Sequence, residues 1–183
     1  FKGLNRYISV RIFTKNKENG ELLMRLPVEW LIEEYQMNLL VTAFQVCKNV
    51  EDAKDVVQDT FIAYYTSDLQ YNDEQHIRAW LFRITVNKTK DVKKSFWHRN
   101  KMPLEDYIES LPFETKEDSN LFEAVMHLPE KYRIVIHLFY YEDWNIREIS
   151  EILHTSVSNV KVRLSRGRTL LKNVLKEEWA DDE

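Results

Sequence analysis

The sequence predicts an all-α protein: two small helical bundles joined by an acidic linker, the second containing a helix-turn-helix. Three observations point there. Gly and Pro are scarce, three and four among 183 residues. β-Branched runs bounded by turns are absent, and nearly every apolar segment repeats at three and four residues, the period of a helix with one buried stripe. With 44% apolar residues the chain can also build real cores.

Taken in order, residues 1–23 are polar and weakly patterned around Asn19-Gly20 and read as a loose extension. The codons for Gly20 and Glu21 can spell a purine tract of the ribosome-binding kind shortly before Met24, which makes Met24 a candidate start. Pro27 opens a first helix, with Val28, Leu31, Ile32, Tyr35, Leu39, Ala43 and Val46 on one face. A second helix over 51–66 buries Ala53, Val56, Val57, Phe61 and Tyr64, and polar residues 67–75 form a loop. The third helix runs from Glu74 to about Phe96 with Ile77, Trp80, Leu81, Ile84 and Val92 inward. These helices form a first unit over 24–97. Pro103 and Pro112 lie in a linker over 98–118, a second bundle follows over 119–179, and 180–183 is an acidic tail.

The second bundle carries the densest signal. Ile146, Ile149, Ile152 and Leu153 form one apolar stripe, and Val157, Val160, Leu164, Leu171 and Leu175 another. His154, Thr155 and Ser156 break them apart, with Ser156 placed to cap the second helix and His154 where a left-handed residue is needed. From His154 to Lys176 there are six bases (Lys161, Arg163, Arg166, Arg168, Lys172, Lys176) and no acids. A cationic helix presented on such a turn fits a major groove.

The net charge of −4 is segregated. Residues 87–101 hold six bases and one acid, residues 102–121 six acids and one base, and five acids follow Lys176. Two basic surfaces flanking an acidic connector suit contact with nucleic acid at two places, because local potential governs encounter. The single cysteine, Cys47, permits no disulfide within the chain, no apolar run nears the roughly 20 residues that span a bilayer, and no signal peptide is evident, so a cytoplasmic protein is expected. His76, His98, His127, His137 and His154 lack metal-ligand spacing, and no Ser, Cys or Tyr sits in a recognisable catalytic arrangement. Neither a cofactor nor an enzyme activity is expected.

Three strings together resemble the extracytoplasmic-function (ECF) sigma factors, the smallest bacterial sigma factors, over residues 26–176. VEDAKDVVQDTFIAYY (50–65) is similar to the helix that grips the β′ subunit of RNA polymerase. HIRAWLFRITVNKTKD (76–91) resembles the helix that reads the minus-ten promoter element. LPEKYRIVIHLFYYEDWNIREISEIL (128–153) followed by VSNVKVRLSRGR (157–168) is similar to the region that reads the minus-thirty-five element. The resemblance implies core RNA polymerase (β′ and β), promoter DNA and an anti-sigma factor as partners, without membrane insertion. The rival is a helix-turn-helix regulator acting without polymerase, which leaves the acidic features unexplained.

The residues support each assignment. Asp52, Asp55 and Asp59 lie at i, i+3 and i+7 with Gln58 beside them, a carboxylate face suited to a basic partner and too spread for one metal ion. On the third helix Arg78, Arg83, Lys88, Lys90 and Lys94 project from the faces left by the apolar stripe and can bind phosphates. By the resemblance, Asn87 and Phe82 shape the contact with a flipped minus-ten base, Asn by its paired donor and acceptor and Phe by stacking. The loop over 67–75 supplies the rest of that pocket. On the recognition helix Lys161, Val162, Ser165 and Arg166 match the base-reading positions, with Ser158 at the exposed start and Asn159, Arg163 and Arg168 placed for phosphates. Val162 stands where a small polar residue is usual, so a thymine methyl contact replaces a hydrogen bond there.

Overall fold

A computed structural model describes residues 12–15, 22–95 and 116–180. It contains, in chain order, β1 (Ile12–Lys15), β2 (Leu22–Arg25), α1 (Val28–Cys47), α2 (Val50–Thr66), α3 (Glu74–Ser95), α4 (Lys116–His127), α5 (Glu130–Tyr140), α6 (Ile146–Ile152) and α7 (Val157–Ala180). Most of the expected acidic linker, the basic side chains at Lys93, Lys94, Arg99 and Lys101, and the tail after Ala180 lie outside the described residues. Among the described residues no helix is long and apolar enough to cross a membrane.

Part of the stretch read as a loose extension is ordered. β1 and β2 pair antiparallel, with Phe13 opposite Met24 and Thr14 opposite Leu23. Asn19-Gly20 between two short apolar runs is a hairpin signal that the helical reading passed over. The other edge of β2 is also used: Met24 N donates to Tyr71 O at 2.7 Å and Tyr71 N to Met24 O at 3.1 Å.

Local chemistry sets the helix ends. Pro27 precedes α1 with its fixed φ of −58°, and Lys48 closes that helix at φ 53°. Asn49 caps α2 by accepting from Asp52 N at 2.9 Å. Asn145 and Glu148 form a reciprocal capping box on α6, the Asn side chain accepting two amides and Glu148 Oε2 accepting Asn145 N at 2.9 Å. His154 takes the expected left-handed conformation, φ 49°, and Ser156 Oγ accepts Asn159 N at 3.2 Å to start α7.

Helices α1, α2 and α3 pack around Leu31, Leu39, Phe44, Phe61, Ile77 and Leu81, and α4 to α7 around Met126, Ile136, Leu138, Ile149, Val160 and Leu164. The two bundles also pack on each other, α1 against α5 and α3 against α6. Phe82 and Trp144, both buried, meet edge-to-face at 5.4 Å across this boundary, and the Arg78 guanidinium lies 4.2 Å over the Trp144 ring.

A buried polar cluster runs through the same boundary. Thr42 Oγ1 lies 2.9 Å from His137 Nε2, and His137 Nε2 is 3.5 Å from Glu142 Oε1. Glu142 also accepts from Asn38 at 3.1 Å and from Arg78 at 3.2 Å, while Arg78 donates to the Glu142 carbonyl at 2.7 Å. Nearby, Arg133 Nε donates to Gln45 O at 2.6 Å and its Nη1 to Met126 O and Leu128 O, so a buried guanidinium closes the end of α4 onto α1. Burial pushes His137 down to about 3 and Glu142 up to about 7, the latter against the opposing pull of Asn38 and Arg78.

Candidate nucleic-acid interface

Asp55, Gln58 and Asp59 are exposed on one face of α2, because Ala53, Val56, Val57, Thr60 and Phe61 take the opposite face into the core. Asp52 is half-buried beside the Asn49 cap. Asp59 Oδ2 lies 3.5 Å from Lys88 Nζ, so a base placed by sequence for phosphates neighbours this acidic face. An apolar groove of about 480 Å³ between α1 and α2 borders the carboxylates, lined by Ile32, Leu40, Val57, Phe61, Ile62 and Tyr65. Sequence reasoning missed it. Its signal is an Ile and a Tyr, 51% and 70% exposed, three residues apart and off the buried stripe. Among the described residues no three His, Cys, Asp or Glu side chains converge in a manner that could hold a metal ion.

On α3, Arg83, Asn87 and Lys88 are half-buried and Lys90 is exposed. Arg83 lines a cavity of about 270 Å³ with Gln70, Tyr71, Asn72 and Trp80, and Glu151 and Ile152 of α6 also line it. Phe82, expected to stack on an extruded base, is not on this wall. It is fully buried against Trp144, since α3 packs on both bundles and its apolar arc is wider than one stripe. Thr85 is buried against α2, its Oγ1 3.2 Å from Thr60 Oγ1, and Val86 and Thr89 are buried as well. Trp80 belongs to an aromatic trio with Tyr64 and Tyr71, at 6.1 and 6.3 Å.

The recognition helix α7 shows Ser158, Lys161, Val162, Ser165 and Arg166 to solvent, with Asn159 and Arg163 half-buried. Asn159 Nδ2 donates to Thr155 Oγ1 at 2.7 Å and so braces the turn. Val157, expected inward, is 37% exposed, because the helix has only begun there and Val160 is the first residue sealed against α6. The Arg166 guanidinium beside Tyr132 holds that phenol below its ordinary range. Arg168, expected at a phosphate, turns back onto α5: its Nε donates to Tyr140 Oη at 2.7 Å and its guanidinium lies 5.5 Å over the Phe139 and Tyr140 rings. Gly167 makes this close approach possible, since a Cβ there would lie 3.0 Å from Ile136 Cγ1.

The packing also brings the two basic stretches together. Lys90 of α3 and Arg163 of α7 line one crevice of about 290 Å³ with Glu130, Lys131 and His154.

The sigma-70 region 2 family matches residues 31–99 and the sigma-70 region 4 family residues 119–171. Among curated proteins, the chain is 27% identical over 169 residues to the ECF RNA polymerase sigma factor SigW of Bacillus subtilis (strain 168), covering 80% of this chain and 88% of that one. It is 31% identical over 130 residues to the RNA polymerase sigma factor SigZ of the same organism, covering 66% and 71%. Among solved structures it is similar to CnrH in complex with the cytosolic domain of CnrY, at a TM-score of 0.60 and 26% identity over 82% of this chain and 88% of that one. The sigma factor RpoE in complex with the anti-sigma factor NepR from Bartonella quintana shares the fold, at a TM-score of 0.60 and 18% identity, covering 81% and 96%.

Proposed function

The chain belongs to the extracytoplasmic-function sigma factors of bacterial RNA polymerase, and from that premise we propose how its surfaces divide the work. It binds core RNA polymerase and directs promoter-specific initiation by reading a minus-ten and a minus-thirty-five element. It carries out no reaction of its own and works in the cytoplasm. Residues 24–97 act as the polymerase-binding and minus-ten unit, 119–179 as the minus-thirty-five unit and 98–118 as their connector.

Asp52, Asp55, Gln58 and Asp59 contact basic groups of core polymerase, the exposure of Asp55, Gln58 and Asp59 on one face of α2 supporting the role. Arg83 and Asn87 face the minus-ten strand, with Lys88 and Lys90 on its phosphates. Ser158, Lys161, Val162, Ser165 and Arg166 enter the major groove, with Asn159 and Arg163 toward the backbone. The observation that carries the reading is the capped, left-handed turn at His154 and Ser156, after which α7 leaves a polar and cationic face bare. In the packed arrangement Glu151 and Ile152 line the α3 cavity and narrow the room for a base, so the second bundle moves outward when a base occupies it. An anti-sigma factor is a third partner, on the likeness to RpoE, which has been seen with NepR.

In-vitro transcription with purified core polymerase tests the whole. Initiation is expected only with the chain present and only from templates carrying both elements. A regulator that acts without polymerase would protect the same DNA and start no transcript, and that result would refute the proposal.

A further inference from the structure

We infer that Arg25, on the strand preceding the first helix, is a positioning residue for minus-ten discrimination. It acts by fixing the loop over 67–73 that walls the α3 cavity, and the inference rests on the reading of that cavity as the minus-ten base site. The loop leaves the C-terminal end of α2, whose last carbonyls lack partners further along the helix. Tyr64 O accepts there from Ser67 N at 3.2 Å and Ser67 Oγ at 2.9 Å, and Arg25 adds a donor from outside the loop. Its Nη2 donates to Tyr64 O and, at 3.3 Å, to Tyr65 O, and its Nη1 donates to Leu69 O at 3.0 Å inside the loop. Its guanidinium also lies 4.5 Å over the Tyr64 ring. One planar fork therefore ties the end of α2 to the loop, which a Lys ammonium on a flexible stem does not reproduce.

The neighbouring residues hold the same loop from the same strand. Met24 makes both backbone bonds of its bridge with Tyr71, and Tyr71 stacks on Tyr64 at a centroid distance of 6.0 Å. Tyr64 in turn donates to Leu26 O at 2.9 Å and accepts Leu26 N at 3.0 Å. Tyr71 is buried by this packing, while Gln70 and Asn72 on either side of it are exposed and line the cavity with Trp80 and Arg83. Beyond the buried Tyr71, the loop is polar and exposed at its cavity-facing positions Gln70 and Asn72. The strand adds a constraint beside them, and discrimination between bases at a pocket needs donors and acceptors held to within a fraction of an ångström.

The test compares wild type, Arg25→Ala, Arg25→Lys and Asn72→Ala as holoenzymes on a panel of promoters substituted at each minus-ten position, beside a core-binding titration and a thermal melt. Arg25→Ala is expected to compress the spread between best and worst promoters about tenfold at unchanged core affinity, and Arg25→Lys to recover only part of it. If Asn72→Ala alters the ranking while both Arg25 variants keep the wild-type ranking and spread, the inference falls and the cavity assignment stands. If Asn72→Ala also leaves the ranking untouched, the cavity does not read the element and both fall. If both Arg25 variants lose core binding together with their thermal transition, Arg25 holds the bundle as a whole, and its assignment to discrimination is overturned.

Discussion

Exchanging Glu142 for Gln should expose a pH dependence of stability that His137 and Glu142 together cancel in the natural chain. His137 and Glu142 are each almost wholly buried, 3.5 Å apart, with Thr42 and Asn38 of α1, Arg78 of α3 and the adjacent Asp143 as their polar and charged surroundings. His137 is pushed from 6.5 down to about 3, so the unfolded chain takes up a proton that the folded one refuses. Its contribution is fully present above 6.5 and is lost as pH falls toward 3, with a slope of about 1.4 kcal/mol per pH unit. Glu142 is pushed from 4.5 up to about 7, so the folded chain holds a proton that the unfolded one releases. That contribution is present below 4.5 and is lost as pH rises toward 7, with the same slope and opposite sign. Between 4.5 and 6.5 the two cancel. Glu142→Gln leaves the His137 slope alone, and stability at pH 4.5 should fall about 2 kcal/mol below its value at pH 6.5 relative to wild type. His137→Gln should give the reverse, a gain of similar size at pH 4.5. Urea titrations of the three proteins at pH 4.5, 5.5 and 6.5 and fixed ionic strength measure this, since the other titrating groups contribute equally to all three. Variants with the wild-type slope, or with slopes of one sign, would refute the argument.

Asp55→Ala with Asp59→Ala should weaken association with core polymerase at least tenfold in a binding titration while the melting temperature holds, because the exposed Asp59–Lys88 contact contributes little. Arg166→Ala should cost on the order of 1 to 3 kcal/mol of binding to promoters that carry the minus-thirty-five element, with little change in melting. Arg168→Ala should do the opposite, lowering stability by about 1 kcal/mol through the lost Tyr140 and ring contacts while altering promoter ranking little. Gly167→Ala gains about 1 kcal/mol of helix propensity but drives a methyl to 3.0 Å from the buried Ile136, so calorimetry should show a net loss of about 1 kcal/mol.

Helices and turns were legible because their signals are local. The 3.6-residue stripes mark α1, α2 and α3, and His154 and Ser156 sit at positions where only a few residue types serve. The hairpin was missed because each strand is four residues long, too short for alternation to outweigh the polar composition around it. Phe82 was misjudged for a different reason. A periodicity shows that a helix has an apolar face but not whether a second bundle covers part of the rest, and Phe82 becomes core only once Trp144 and Arg78 close on it. Arg168 is a surface base in any one-dimensional reading, and only the approach of α5 at Gly167 gives it Tyr140. The buried Arg133 and His137 did leave a trace, as polar residues four apart within an apolar helix.

The contact of α6 with α3 acts as a tax on affinity. On the proposed reading of this cavity as the minus-ten site, molecules with Ile152 at its wall and Phe82 packed on Trp144 do not bind the element, and apparent affinity falls in proportion to the open fraction. A closed form favoured by about 2.7 kcal/mol lowers promoter affinity about a hundredfold without touching a single DNA contact. A substitution at Trp144 that strengthens promoter binding would thus be acting on a population, and its gain would be the same for every promoter sequence.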